Sequence, residues 1–179
     1  SRPEEFLAAG ARIFAVTIDS PAQNAAMVGK LSLPFPILSD PDRTAIITPM
    51  GVADPNDARD LSRPAMFLIA PDGNERWRFV SRDYADRLPN DEVLEHTRML
   101  ALGPTSQPAP ELGPAEPGGR AMPFEGLYHY LRGARFAAQA MGLRHKDLGA
   151  AIKEDSKAYV AEMDEMLEAV SALTKRRQQ

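Results

Sequence analysis

The stretch from Leu61 to Arg82 constrains the fold more than any other. Arg63-Pro64 opens an apolar run, Ala65 to Ala70, and Pro71-Asp72-Gly73 closes it. A turn triplet of this kind between two extended runs reads as a tight hairpin. The second run, from Glu75 to Arg82, alternates, with Trp77 and Phe79 on one side and Arg76 and Arg78 on the other. A period of two gives a strand with one buried face and one solvated face, as near a sheet edge. The short turn makes the pair antiparallel.

The residues ahead of the hairpin carry a different rhythm. Glu4 to Gly10 reads as the last turns of a helix, with Gly10 as the residue just past its end. Ile13 to Ile18 is short and rich in β-branched residues, which suits a strand buried on both faces. Ser20 and Pro21 are the cap and first position of a helix running to about Lys30. Pro34 to Leu38 reads as a short strand. Ser39-Asp40-Pro41-Asp42 reads as the cap of another short helix, to about Ile47. Residues 49–62 read as a loop. After the hairpin, Leu88-Pro89-Asn90-Asp91-Glu92 begins a helix ending near Leu102, with Val93, Leu94, Thr97 and Leu100-Ala101 inward. Helices between buried strands imply parallel pairing, and the hairpin adds an antiparallel pair. The expected fold is α/β: a mixed sheet with flanking helices over residues 1–102.

Residues 103–121 are dense in proline and glycine and exclude regular structure. They read as an extended linker. From residue 122 to 179 the pattern is helical. Phe124, Leu127, Leu131, Ala134, Ala138 and Met141 share one face, and Gly142 to His145 reads as a break. Ile152, Ser156, Tyr159, Met163, Met166, Val170 and Leu173 then recur at four- and three-residue steps, a heptad-like seam. Fewer than 60 residues in two helices make a marginal core. This helical hairpin is therefore expected to dock on the α/β part or to form a homodimer.

Composition removes several kinds of chemistry. The 179 residues contain no cysteine, so no disulfide, thiolate nucleophile or Cys-ligated metal arises within them. His96, His129 and His145 are far apart and read as surface or packing residues, so no metal or other cofactor is expected. A formal net charge of -4 gives no reason to propose nucleic acid as a partner. No apolar run approaches the ~20 residues that span a bilayer, so no membrane association is expected. With no leader visible, the expected location is cytoplasmic. No glycine loop suited to phosphate is present. The carboxylates of Asp19-Ser20-Pro21 and Ser39-Asp40-Pro41 read as helix caps.

Four stretches in order carry a family resemblance: Gly10 to Ser20, Leu33 to Asp40, Arg63 to Gly73, and Asp83 to Arg87. Over its first hundred residues the chain resembles the alkyl hydroperoxide reductase / thiol-specific antioxidant proteins. These are the peroxiredoxin-like, or redoxin, branch of the thioredoxin fold. The resemblance implies a thioredoxin-like sheet whose central strand leads to the reactive Cys and lies between the strands at 13–18 and 65–70. The chain would start after that strand, so an N-terminally incomplete family member, a fragment of a longer chain, is expected.

By the same resemblance Arg63 is the candidate catalytic residue, stabilising a thiolate and the peroxide oxygens. The alternative is an Arg paired with Asp57 or Asp60. Pro64 falls where thioredoxin folds commonly carry a cis-proline beside the site, and the sequence leaves its isomer open. Tyr84, flanked by Asp83 and Asp86, is a candidate binding residue at a site rim, or else part of a solvated turn. The function implied is antioxidant thiol oxidoreductase activity in the intact protein, with a peroxide and a thiol reductant as partners. This Cys-free chain is itself expected to be inactive. The alternative is a non-catalytic thioredoxin-fold module for binding or dimerisation.

Overall fold

The computed structural model describes residues 2–54, 57–58, 61–82 and 86–178. The chain divides into two compact units, Ser1–Gly118 and Gly119–Gln179.

The first unit is α/β. Its elements are α1 (Pro3–Ala8), β1 (Ala15–Thr17), α2 (Pro21–Leu31), β2 (Ile37–Ser39), β3 (Ala65–Ile69), β4 (Glu75–Val80) and α3 (Asn90–Arg98). β1 and β2 pair in parallel, Ala15 opposite Ile37. β3 and β4 pair antiparallel, Met66 opposite Phe79 and Leu68 opposite Trp77. The two expected pairings thus exist as separate two-stranded ladders, and β1 does not pair with β3. Opposed residues share a face, so Met66, Leu68, Trp77 and Phe79 form one side of the hairpin. That side turns toward α3, where the His96 ring stacks on Trp77 with centroids 4.6 Å apart. On the other side the Arg78 guanidinium lies 5.0 Å over the Phe67 ring.

Local chemistry fixes most boundaries. α1 is closed off by Gly10, two residues past its end, whose φ of 86° lets the Ala11 N–H reach back to the Phe6 carbonyl at 2.9 Å. A Cβ there would lie 2.5 Å from the Leu102 Cβ, so the close approach of the two segments also requires glycine. α2 begins with a reciprocal capping box, the Gln23 N–H donating to the Ser20 hydroxyl and the Ser20 N–H to the Gln23 side chain.

Three boundaries differ from expectation. The helix expected after Ser39 is a run of turns, because Arg43 takes a left-handed φ of 63° that no helix interior accepts. α3 stops at Arg98 instead of Leu102. Its last turn tightens, the Leu100 and Ala101 amides donating three residues back, and Ala101 itself has φ 50°. Residues 103–117 contain no regular element, yet they are fastened to this unit. The Thr105 N–H donates to the Leu7 carbonyl, the Glu116 N–H donates to the Ala22 carbonyl, and the Gln107 side chain bonds both backbone groups of Ile13.

The second unit is an antiparallel helical hairpin of α4 (Phe124–Arg144) and α5 (Ala150–Arg177), joined through a 3₁₀ turn at Lys146–Leu148. α4 runs through Gly142 and Leu143 instead of breaking there. Phe124, Leu131, Met163 and Val170 form its buried core, with Leu127, Ala134, Tyr159, Leu167 and Leu173 packed around them. The seam on α5 departs from the expected register at one step. Leu167 packs inward, and Met166 is 37% exposed. Gly142 allows the helices to touch. A Cβ there would lie 2.2 Å from the Ser156 hydroxyl oxygen, which itself donates to the Ala138 carbonyl at 2.8 Å.

Candidate functional site

The head of β3 is held by backbone bonds on both sides. The Arg63 N–H donates to the Val52 carbonyl at 2.8 Å, beside an antiparallel bridge between Ala53 and Ser62. The buried Ser81 donates its N–H to the Pro64 carbonyl at 2.8 Å. Four backbone groups therefore set where Arg63 leaves the strand. Its side chain is exposed, and among the described residues its guanidinium makes no hydrogen bond or ion pair. The pairing with Asp57 considered from the sequence is not made. Asp60 lies outside the described residues. An arginine fixed by its backbone and unspent in its side chain can bind an anion or a developing negative charge, because its planar fork stays charged and donates in a fixed direction.

Arg63 and Pro64 are adjacent at this point, and the peptide bond between them is trans. Tyr84 and Asp83 lie outside the described residues. Their neighbour Asp86 accepts from the Arg82 backbone N–H at 2.8 Å and from its guanidinium at 3.1 Å. These bonds, the guanidinium's first, hold the Asp86 carboxyl below the usual carboxylate range. A cleft of about 310 Å³ is lined by Glu5, Ala8, Ala9, Arg98 and Leu102, and Arg63 is not part of it.

A second polar centre lies at the C-terminal ends of β1 and β2. The buried Asn24 of α2 accepts from the Thr17 hydroxyl at 2.9 Å and donates to Ser39 Oγ at 2.9 Å, tying both strands to the helix. Asp40, only 1% exposed, accepts from the amides of Ile47 at 2.7 Å, Ile46 at 2.9 Å and Ala45 at 3.1 Å. The Ile47 amide contributes most to holding its carboxyl low. The other two amides and the charge of Arg43 add to that effect, while burial opposes it. Asp40 was read from the sequence as a helix cap. It instead gathers the amides of a loop, which its Ser-Asp-Pro context did not signal. Every polar atom of this centre is spent on structure, and buried polar groups so satisfied organise a loop instead of offering it chemistry.

The fold so described is of the thioredoxin-like class, small sheets with flanking helices. Residues 1–78 match the model of the AhpC/TSA family. The match spans α1 to the middle of β4 with Arg63 inside it, and that part of the chain is similar to the peroxiredoxin-like proteins. No curated protein matches the chain.

Proposed function

We propose that the α/β unit serves thiol-dependent peroxide reduction, an antioxidant activity, as the part of the site that carries Arg63. The family match over residues 1–78 carries this reading. The unspent guanidinium at the head of β3 supports it. The attacking thiolate must come from outside the 179 residues, which contain no cysteine. In the step proposed, the thiolate sulfur attacks the terminal peroxide oxygen and the O–O bond breaks. The sulfur is oxidised to the sulfenic acid level, and the leaving oxygen takes up a proton as alcohol or water. A thiol reductant then condenses with the sulfenic acid, releasing water and leaving a disulfide. Arg63 would lower the thiol pKa and donate to the oxygens as charge develops on them. Pro64 and Tyr84 would shape the rim.

The test compares peroxide consumption by the 179-residue chain with that of the same chain preceded by a Cys-bearing redoxin segment, each with and without Arg63→Ala. The chain alone should show no turnover above buffer. The joined protein should turn over, and Arg63→Ala should cost it roughly a hundred- to thousandfold in rate, as for loss of an oxyanion donor. Because the guanidinium has no partner among the described residues, Arg63→Ala should leave the thermal midpoint where it was. An unchanged rate in the joined variant would remove Arg63 from the mechanism. A joined protein with no turnover would favour the second reading, a non-catalytic thioredoxin-fold module for binding or dimerisation, whose motive is the absence of cysteine together with the heptad-like seam of the C-terminal helices.

A further inference from the structure

Arg63 is exposed, and its guanidinium has no partner among the described residues. A side chain without contacts of its own can be aimed only through its backbone. Pro64 turns its carbonyl to Ser81, just past β4, so the neighbouring Arg63 amide faces the opposite edge of β3. From there a path of hydrogen bonds runs back through the loop after β2. The Arg63 N–H donates to the Val52 carbonyl at 2.8 Å, and the Val52 N–H donates to the Ile47 carbonyl at 3.2 Å. The Ile47 N–H donates to the Asp40 carboxylate at 2.7 Å. The Asp40 N–H donates in turn to the carbonyl of Thr17, the last residue of β1, at 2.8 Å. Asp40, Ile47 and Val52 are all buried, so water does not compete for these bonds. The two ladders do not pair with each other, and this path joins the end of one to the head of the other.

We infer that Asp40 is a positioning residue for Arg63, its carboxylate anchoring the buried loop that sets where Arg63 leaves β3. The anchoring bond is charge-assisted and about twice as strong as a neutral one. The amides of Ala45 and Ile46 converge on the same carboxylate, at 3.1 and 2.9 Å. Loss of the charge therefore frees residues 45–47 together, and the Ile47 carbonyl that holds Val52 moves with them. Successive bonds fall on different peptide groups, so the path transmits position and not charge. The loop is also braced from the hairpin, where the Arg78 guanidinium donates to the Met50 carbonyl at 3.2 Å. A misplacement of about 1 Å at a reacting group can cost about a hundredfold in rate. The effect of Asp40 on rate, though not on position, rests on the proposed peroxide reduction.

Hydrogen exchange of the 179-residue chain tests the position, and rates in the protein joined to a Cys-bearing redoxin segment test its use. At neutral pH, Asp40→Asn should speed exchange at the Ile47, Val52 and Arg63 amides by about tenfold or more relative to the Ser81 amide on the other side of Pro64. Ser39→Ala removes an acceptor of Asn24 beside the path. It should lower the thermal midpoint and leave the ratio of Arg63 to Ser81 exchange unchanged. If Asp40→Asn does not fold, exchange of the wild type in rising urea takes its place, where the Arg63 amide should open together with those of Ile47 and Val52. In the joined protein, Asp40→Asn should lower kcat/KM for peroxide roughly ten- to a hundredfold. In the Arg63→Ala background the same substitution should cost about twofold or less, as for two residues that act as a unit. An Arg63 amide that exchanges in step with Ser81, in the variant or in the urea series, overturns the inference whether or not the joined protein turns over. So does a rate loss from Asp40→Asn that is undiminished in the Arg63→Ala background. A joined protein without turnover counts against the proposed function, and the exchange ratio then decides the role of Asp40 alone.

Discussion

Asp40 collects the amides of Ala45, Ile46 and Ile47 on one buried carboxylate, and this makes the loop after β2 depend on an ionised group. The folded carboxyl is held below its ordinary value of about 3.9. Its contribution is therefore present in full above that value and is lost as pH falls through the lower folded value. Thermal melts from neutral pH down to about 3 should show the wild type losing stability at the acid end. Asp40→Asn keeps the shape but points an N–H₂ at N–H donors, which is worse than a vacancy. Its midpoint should already be lower at neutral pH and should fall less as acid is added. A variant whose midpoint tracks the wild type across the whole range would show that the three amides do not depend on the charge. Only part of this was legible beforehand. Ser39-Asp40-Pro41 announces a carboxylate that bonds backbone amides, but the same three residues serve a helix cap and a loop clasp alike. The left-handed Arg43 decides between them, and nothing in its side chain asks for that conformation.

At the scale of elements, the hairpin of β3 and β4 was the best-read feature because two independent signals agreed. Pro71-Asp72-Gly73 supplies the turn, where Asp72 accepts from the Asn74 N–H at 3.0 Å, and the alternation of Trp77 and Phe79 sets the inner face. The helical hairpin was read less well at its far end. Gly142 looked like a helix stop, and glycine is a poor interior residue on propensity alone. Tertiary contact reverses that judgement, since the Ser156 side chain occupies the space a Cβ would need. Gly142→Ala should consequently destabilise the hairpin by about 1–3 kcal/mol, as overpacking does, despite alanine's better helix propensity. Urea unfolding followed by circular dichroism measures this. Adding Ser156→Gly should recover part of the loss, whereas a more stable single variant would show that the helices separate there at no cost.

For the whole molecule, low regularity and freedom of movement are separate properties. The proline and glycine of residues 103–121 exclude helix and strand, and that composition reads as a spacer. The Gln107 amide instead stands in for a neighbouring strand, accepting from the Ile13 N–H at 2.8 Å and donating to its carbonyl at 2.7 Å. Pattern reading does not find such a bond, because its partners are 94 residues apart and one of them is backbone. Gln107→Ala should cost about 1–2 kcal/mol in the first unit, two hydrogen bonds to half-buried backbone groups being lost. It should also speed cleavage by a glutamate-specific protease at Glu111. Equal digestion rates would mean that the segment is held by its other contacts alone. Arg63 was legible for a different reason. Its position at a strand head came from the residues around it, while its freedom from local partners emerged only from three-dimensional placement.

The division of the strands into two separate ladders has a further consequence, in the exchange of backbone hydrogen with deuterated water. A strand with a single antiparallel neighbour turns every second amide toward that neighbour and the rest away from it. Protection along β3 and β4 should therefore rise and fall residue by residue, while the amides inside α4 and α5 are slowed without interruption. The pattern reports directly on strand number. Unbroken protection from Met66 to Ile69 would mean that another strand, from whatever source, has joined β3 along the edge that begins at Arg63.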